Sequence, residues 1–424
     1  MEDPRILIVA VALIAYALVS RRFGGWWISM PATLLAIGFL AGPAGLHFVN
    51  FSVGSETVRT VAEITLALML FHDAARIRLR DLRGESRLPI RLLTIGLPLM
   101  IVLGTLVGYA MFPSLGWIGA ALVATMLAPT DAALGEQVVS DERLPGWLRQ
   151  GLNVESGLND GLSVPVFLVL IAIAIEQSWA PGALTTELLR QIGFGVLSGL
   201  VVGGGGGLLM RAAKDHKLMR DEWLRIGIVA LAIAAFVLAA TLHGSGFIGA
   251  FVGGLMFGWT SKIRGPRAMS LTGHLGEMFD AVSFFLLGAV LVPIAIPLLS
   301  WQVVAYVILS LVAIRVVSVI IAVTGTGAAW QTKLFMGWFG PRGLATIVFT
   351  VLLLDDAVPN KELIAAIAVT GVVLSVYAHG FTAPWLSGLY ADWYKRTGSD
   401  AKELPEHADV TQPAPRSADM HSAS

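Results

Sequence analysis

Apolar stretches of about 17–25 residues recur along the chain, separated by short polar segments or by Gly and Pro. Each is long enough to cross a bilayer as a helix, which rises 1.5 Å per residue. The pattern predicts thirteen helices, at 4–20, 27–46, 56–73, 91–112, 116–139, 147–175, 188–210, 223–242, 245–260, 274–298, 302–323, 332–355 and 361–388. The first apolar run lacks the basic n-region and the cleavage site of a signal peptide, so it reads as a retained helix. From Arg396 to Ser424 the chain is rich in Ala, Pro, Ser, Asp and Glu and reads as a disordered tail. The expected organisation is a membrane domain over 1–395 followed by a cytoplasmic tail over 396–424.

Composition agrees with that pattern. Apolar residues make up 56% of the 424 residues and charged residues only 14%, against about 25% charged in a soluble domain. A water-exposed globule could not bury so much apolar surface, so soluble enzymes and disordered chains are excluded. The 29 basic and 29 acidic residues balance, which argues against a nucleic-acid binder. Cysteine is absent, which excludes disulfides, zinc–thiolate sites and thiol chemistry.

Charge placement predicts orientation. Of the 29 Lys and Arg, 23 fall in the loops after odd-numbered helices and in the tail, and four fall on the opposite side. Arg315 and Arg342 lie inside spans. Basic residues mark the cytoplasmic side, so the N-terminus is expected outside the cytoplasm and the C-terminus inside it, in the cell membrane. Trp26, Trp27, Trp117, Trp147, Trp179, Trp223, Trp259, Trp301, Trp330 and Trp385 lie near predicted span ends, as interfacial anchors do.

An ionisable side chain inside a span is costly unless paired or hydrated, and marks a candidate functional site. In the fifth predicted helix, Pro129-Thr130-Asp131 breaks the hydrogen-bond ladder and offers oxygens at mid-span. A plain proline kink, with Asp131 capping the second half-helix, is the alternative. In the sixth, Asn153 to Gly161 reads NVESGLNDG. Glu155 and Asn159 are one helical turn apart, as are Ser156 and Asp160, so the four form a polar face that cannot look at lipid. Asp160 falls at the centre of that span. Arg315, near the middle of the eleventh helix, requires a carboxylate partner. Gly340-Pro341-Arg342-Gly343 interrupts the twelfth. The two breaks are seven helices apart, hence oppositely oriented, as inverted repeats would place them. Hydroxyl, carbonyl and carboxylate oxygens are hard ligands suited to alkali cations and protons, and nothing suggests a transition metal.

These residues resemble the monovalent cation/proton antiporters, the sodium/proton exchangers of the NhaP and NHE type. The matching features are PTD at Pro129–Asp131, ESGLND at Glu155–Asp160, Arg315 in AIRVVSV and GPRG around Arg342. The resemblance implies an all-α polytopic protein of about thirteen helices, a homodimer with a dimerisation domain and a mobile core, and two crossing broken helices. It implies that Asp160 carries the ion and the proton, with Thr130, Asp131 and Ser156 completing the site and no cofactor. Asn159 stands where electrogenic relatives have a second aspartate, which implies one-for-one, electroneutral exchange. Glu155 would bridge Arg315 structurally. The implied function is exchange of sodium, and also lithium, for protons by alternating access. Where many relatives have PVAV after the PTD aspartate, this chain has AALG. A potassium/proton efflux antiporter is the alternative within the class. A channel-like or sensory membrane protein using the site structurally is the alternative outside it. No nucleophile–base arrangement suggests an enzyme.

Several further features read as structural. The glycine run Gly203–Gly207 suggests close helix packing. His72, His243 and His274 sit at span ends, Glu277 and Asp280 near the start of the tenth helix, and Glu63 has no evident partner. The basic residues from Arg76 to Arg91 read as a topology signal.

Overall fold

The computed structural model describes residues 4–23, 29–49, 56–77, 88–131, 133–175, 181–263, 266–397 and Glu406. Trp26, Trp27 and Trp179, most of the basic segment after Arg76, and the expected tail apart from Glu406 lie outside these residues. Among the described residues the chain is helical and has no strand. In chain order the helices are α1 (Pro4–Phe23), α2 (Met30–Ala41), α3 (Glu56–Arg76) and α4 (Leu88–Met111). Next come α5 (Gly116–Met126 and Glu136–Val139), α6 (Gly146–Ile175), α7 (Thr185–Asp215), α8 (Asp221–Thr241) and α9 (Gly246–Thr260). The last are α10 (Ala268–Leu298), α11 (Trp301–Val323), α12 (Trp330–Trp338 and Leu344–Asp355) and α13 (Lys361–Thr397). Seven of these are long and apolar enough to cross a membrane uninterrupted. Shorter apolar helices include the two broken ones.

Local chemistry sets several boundaries. Ser29, Ser245 and Ser300 cap α2, α9 and α11 by accepting the N–H of Ala32, Ile248 and Val303, which satisfies donors the helix itself cannot. Two breaks interrupt otherwise continuous spans. Residues 127–131 and 133–135 are not helical, nor are residues 339–343.

The helices pack in two groups. In one, α3 lies against α9 and α10, and α9 lies against α7 and α8. In the other, α4, α5, α11, α12 and α13 pack around the breaks. Helix α6 touches both groups. Small residues allow the closest approaches: a methyl on Gly203 of α7 would collide with the Gly253 backbone of α9, and one on Gly254 with the Phe71 backbone of α3. The glycine run in α7 therefore serves close packing.

Trp117, Trp223, Trp259, Trp301 and Trp330 are exposed at helix ends, whereas Trp385 is exposed but lies within α13, which continues to Thr397. Trp147 departs from the expected anchor role. It is buried with Leu148, Val138 and Phe335, because the start of α6 tucks beneath α12 rather than facing the interface. At the same end, the buried Glu406 accepts the Ala329 N–H at 2.9 Å and the Thr332 hydroxyl at 2.6 Å. Glu63 has a partner that its sequence context did not suggest: Arg59, four residues earlier, bonds it at 2.8 Å and also pairs with Asp355, the last residue of α12.

Candidate functional site: the crossing of the broken helices

The two breaks meet. The Asp131 N–H donates to Pro341 O at 2.7 Å. The Thr346 hydroxyl donates to Met126 O at 2.7 Å. Each break exposes helix ends with partial charge, positive where N–H groups start a half-helix and negative where carbonyls end one. Asp131 and Arg342 each reach from one break to a helix end of the other.

Asp131 meets the positive ends. Its Oδ1 accepts the N–H of Ala133 at 2.7 Å and of Leu134 at 3.2 Å, at the start of the second half of α5. Its Oδ2 accepts the Leu344 N–H at 2.8 Å, at the start of the second half of α12. Arg342 meets the negative end: its Nη1 donates to Ala128 O at 2.8 Å and to Pro129 O at 3.1 Å. The glycines of GPRG make room for this. A methyl on Gly343 would collide with the Asp131 carboxylate, and one on Gly340 with the Arg315 guanidinium. Pro129 and Pro341 lack a backbone N–H, which helps to open the two ladders.

Glu155 and Arg315 are brought together as a forked pair. Arg315 Nη1 bonds Glu155 Oε1, and Nη2 bonds Oε2 at 2.9 Å. Both side chains are about 1–2% exposed. A wide π-type turn over Ser310–Ile314 precedes Arg315 in α11, a local feature that re-aims the following side chain. Arg342 lies nearby: Arg315 Nη1 and Arg342 Nη2 are 3.7 and 3.9 Å from the same Met100 sulfur.

The polar face of α6 looks into this crossing. Asn159 Nδ2 donates to Thr130 Oγ1 at 2.6 Å, and Thr130 Oγ1 lies 3.0 Å from Ser156 Oγ. Asp160 follows Asn159 in the helix and lies one turn beyond Ser156. It is half-buried, as is Ser156, whereas Glu155, Asn159, Thr130 and Asp131 are buried. The hydroxyls of Thr130 and Ser156 and the Asn159 amide thus form one hydrogen-bonded cluster, and Asp160 neighbours two of its members along α6. No group of three or more His, Cys, Asp or Glu able to hold a metal occurs among the described residues.

A match to the transmembrane sodium/hydrogen exchanger description extends over residues 9–388. The chain belongs to that family. Its members are membrane transporters, so this member is a multi-pass membrane protein of a transport family, not of an enzyme family. Among similar proteins, the K(+)/H(+) antiporter NhaP of Alkalimonas amylolytica is 24% identical over 419 residues, covering 97% of this chain and 69% of the relative. The K(+)/H(+) antiporter NhaP2 of Shewanella oneidensis is 26% identical over 388 residues, covering 88% of this chain and 64% of the relative. The chain thus spans about two thirds of the length of these curated relatives. The solved structure of the sodium proton antiporter MjNhaP1 from Methanocaldococcus jannaschii at pH 8 shares the fold, with TM-score 0.76 and 20% identity over 91% of this chain and 97% of that one.

Three residues of this family member's crossing region were not singled out in its sequence. Asp73 of α3 faces Gly157 of α6, where a methyl would stand 3.5 Å from the Asp73 Cβ. Ser375 and His379 of α13 bond the second break. Asp73 sits in a helix-end context, LFHDAAR. Ser375 and His379 are spaced as i, i+4 and share a helix face, a signal that apolar surroundings hid.

Proposed function

We propose that this exchanger-family chain swaps a monovalent alkali cation for protons, with Asp160 as the shared carboxylate. One observation carries the reading: Asp160 is a half-buried carboxylate on α6, next to Asn159 and one turn from Ser156, both members of the Thr130–Ser156–Asn159 cluster. Glu155 and Asp131 are buried and engaged with Arg315 and with backbone donors. A carrier must meet solvent to take up and release its ion, and must hold either cation or proton. Asp160 fits both needs, with Thr130 and Ser156 as neutral oxygen ligands and Asn159 orienting Thr130. Glu155–Arg315 then serves as a fixed structural bridge. Asp131 acts chiefly as the cap that joins the two breaks, a narrower role than ion ligand, because its carboxylate already accepts three backbone N–H groups.

Because Asn159 cannot titrate, each turnover exchanges one cation for one proton and moves no net charge. Sodium, and also lithium, is the proposed cation. The family description and the name of the fold relative MjNhaP1 support it. A second reading, potassium as the cation, is supported by the names of the NhaP and NhaP2 relatives. The proposed protein is a homodimer in the cell membrane, N-terminus outside and C-terminus in the cytoplasm, in keeping with the distribution of basic residues. Purified protein in liposomes, with an internal pH dye and pulses of sodium, lithium, potassium or rubidium, tests the reading. A pH change on sodium or lithium supports it. A response to potassium alone selects the second reading. Voltage-driven flux without proton coupling overturns both.

A further inference from the structure

An unbroken α12 would carry a helical bond from the Arg342 N–H to the carbonyl four residues back, at Trp338. That bond is absent, and α13 supplies a partner to each of its ends, the Trp338 carbonyl also accepting the Gly340 N–H at 2.9 Å. The Arg342 N–H donates to Ser375 Oγ at 2.7 Å. The Trp338 carbonyl lies 2.9 Å from His379 Nε2. Between these contacts, Ser375 Oγ is 3.1 Å from His379 Nδ1, which is also 2.9 Å from the Ser375 carbonyl. With Nε2 protonated, the ring donates to Trp338 and receives the Ser375 hydroxyl proton on Nδ1. This pattern makes one continuous bridge, Arg342–Ser375–His379–Trp338. Side chains inserted into a helical ladder in this way hold it open.

The opening has a consequence at the other break. The Arg342 backbone fixed by Ser375 carries the guanidinium that grips the carbonyls of Ala128 and Pro129. Those carbonyls immediately precede Thr130, a member of the proposed cation cluster. Ser375 and His379 are 0% and 2% exposed, so the bridge is a buried part of the crossing, and its hydrogen bonds run to Arg342 and Trp338.

We infer that Ser375 and His379 are positioning residues: by bonding both ends of the missing Arg342–Trp338 bond they keep α12 open, and through Arg342 and the carbonyls it holds they set the position of Thr130, and with it cation affinity and selectivity. This deepens, and rests on, the exchange reading above. Loss of the bridge lets Arg342 N–H turn back toward Trp338, shifts the guanidinium and displaces the Ala128 and Pro129 carbonyls.

The test compares Ser375→Ala and His379→Leu with Ser375→Thr and His379→Gln, which keep a hydroxyl and a donor–acceptor side chain. Proteoliposome exchange is measured for lithium, sodium, potassium and rubidium, alongside the cation-induced rise in melting temperature of the detergent-solubilised protein. The first two variants should raise the apparent KM for the preferred cation on the order of fivefold or more, about the effect of losing one hydrogen bond. They should also change the ratio between cations and keep the maximal rate within about twofold of wild type. The conservative variants should stay near wild type. Should His379→Leu fail to fold, Ser375→Ala carries the test, since it removes a single oxygen. Lower melting temperature with unchanged KM and cation ratio means the bridge is merely structural and overturns the inference. Wild-type protein that exchanges none of the four cations overturns the exchange reading instead.

Discussion

Glu155→Gln is the substitution whose cost the crossing predicts most sharply. Two guanidiniums and one carboxylate share the dry interior beside Met100. Glu155 holds Arg315 with two parallel bonds and is also electrostatically coupled to Arg342. Glutamine keeps the shape but removes the charge, leaving Arg315 and Arg342 facing each other without their carboxylate. Breaking a buried pair by removing one partner costs ~3–5 kcal/mol. The second guanidinium places Glu155→Gln at the upper end, ~4–5 kcal/mol. Arg315→Gln should cost less, ~3 kcal/mol, because Arg342 remains beside Glu155 to compensate it. The double variant removes the pair together, so its loss should fall short of the summed single losses by at least ~2 kcal/mol. Equilibrium unfolding of the solubilised protein by a denaturing detergent, followed by tryptophan fluorescence, gives all three values. Losses that add within ~0.5 kcal/mol would show that the two charges are not coupled, and equal single costs would show that Arg342 plays no part.

Asp131→Asn should leave one of the three backbone donors poorly met and remove the charge that faces two helix starts. We expect a stability loss of ~1–3 kcal/mol with altered transport, and an unchanged unfolding midpoint would contradict the capping role. Gly343→Ala should be more damaging than its size suggests, because the added methyl meets the Asp131 carboxylate; normal expression and exchange would refute that contact. Asp356, beyond the end of α12, offers a pH test. Burial raises its carboxyl above the ordinary value, Arg59 opposes this and Asp355 adds to it. A raised folded value means its contribution is full below the ordinary carboxylate range and is lost as pH rises through the folded value. Asp356→Asn should therefore melt higher than wild type at neutral pH and equally with it at low pH. A variant that melts lower than wild type at neutral pH would reverse the sign.

The fold was largely readable because bilayer thickness fixes helix length and backbone polarity forbids irregular spans in lipid. The same physics marked both breaks, since Pro129 and Pro341 lie where no isolated proline kink would need an adjacent Asp131 or Arg342. What stayed hidden was which oppositely charged ends would meet. Asp131 caps the start of the far half of α12 and Arg342 caps the carbonyls of α5, contacts over 200 residues apart in sequence. A single sequence carries no signal for such pairing. Arg315 needed a carboxylate, and the periodicity of α6 put Glu155, Asn159, Ser156 and Asp160 on one face, but it did not state which of them faced which neighbour. Ser375 and His379 were missed for another reason: serine and histidine within apolar α13 look like ordinary satisfied polar residues until the broken bond they replace is seen. Trp147 was misjudged because position near a span end does not reveal whether a neighbouring helix covers it.

The central claim is that proton and cation take turns on the Asp160 carboxylate, and competition measures it most directly. Cation-induced pH changes are recorded in proteoliposomes of wild type and Asp160→Asn over a range of pH and cation concentration. If the carboxylate is shared, apparent cation affinity in wild type falls as pH is lowered, higher cation concentration moves the acidic limb of activity to lower pH, and Asp160→Asn is folded but inactive. Cation affinity independent of pH across that limb, or near wild-type exchange by Asp160→Asn, would contradict it.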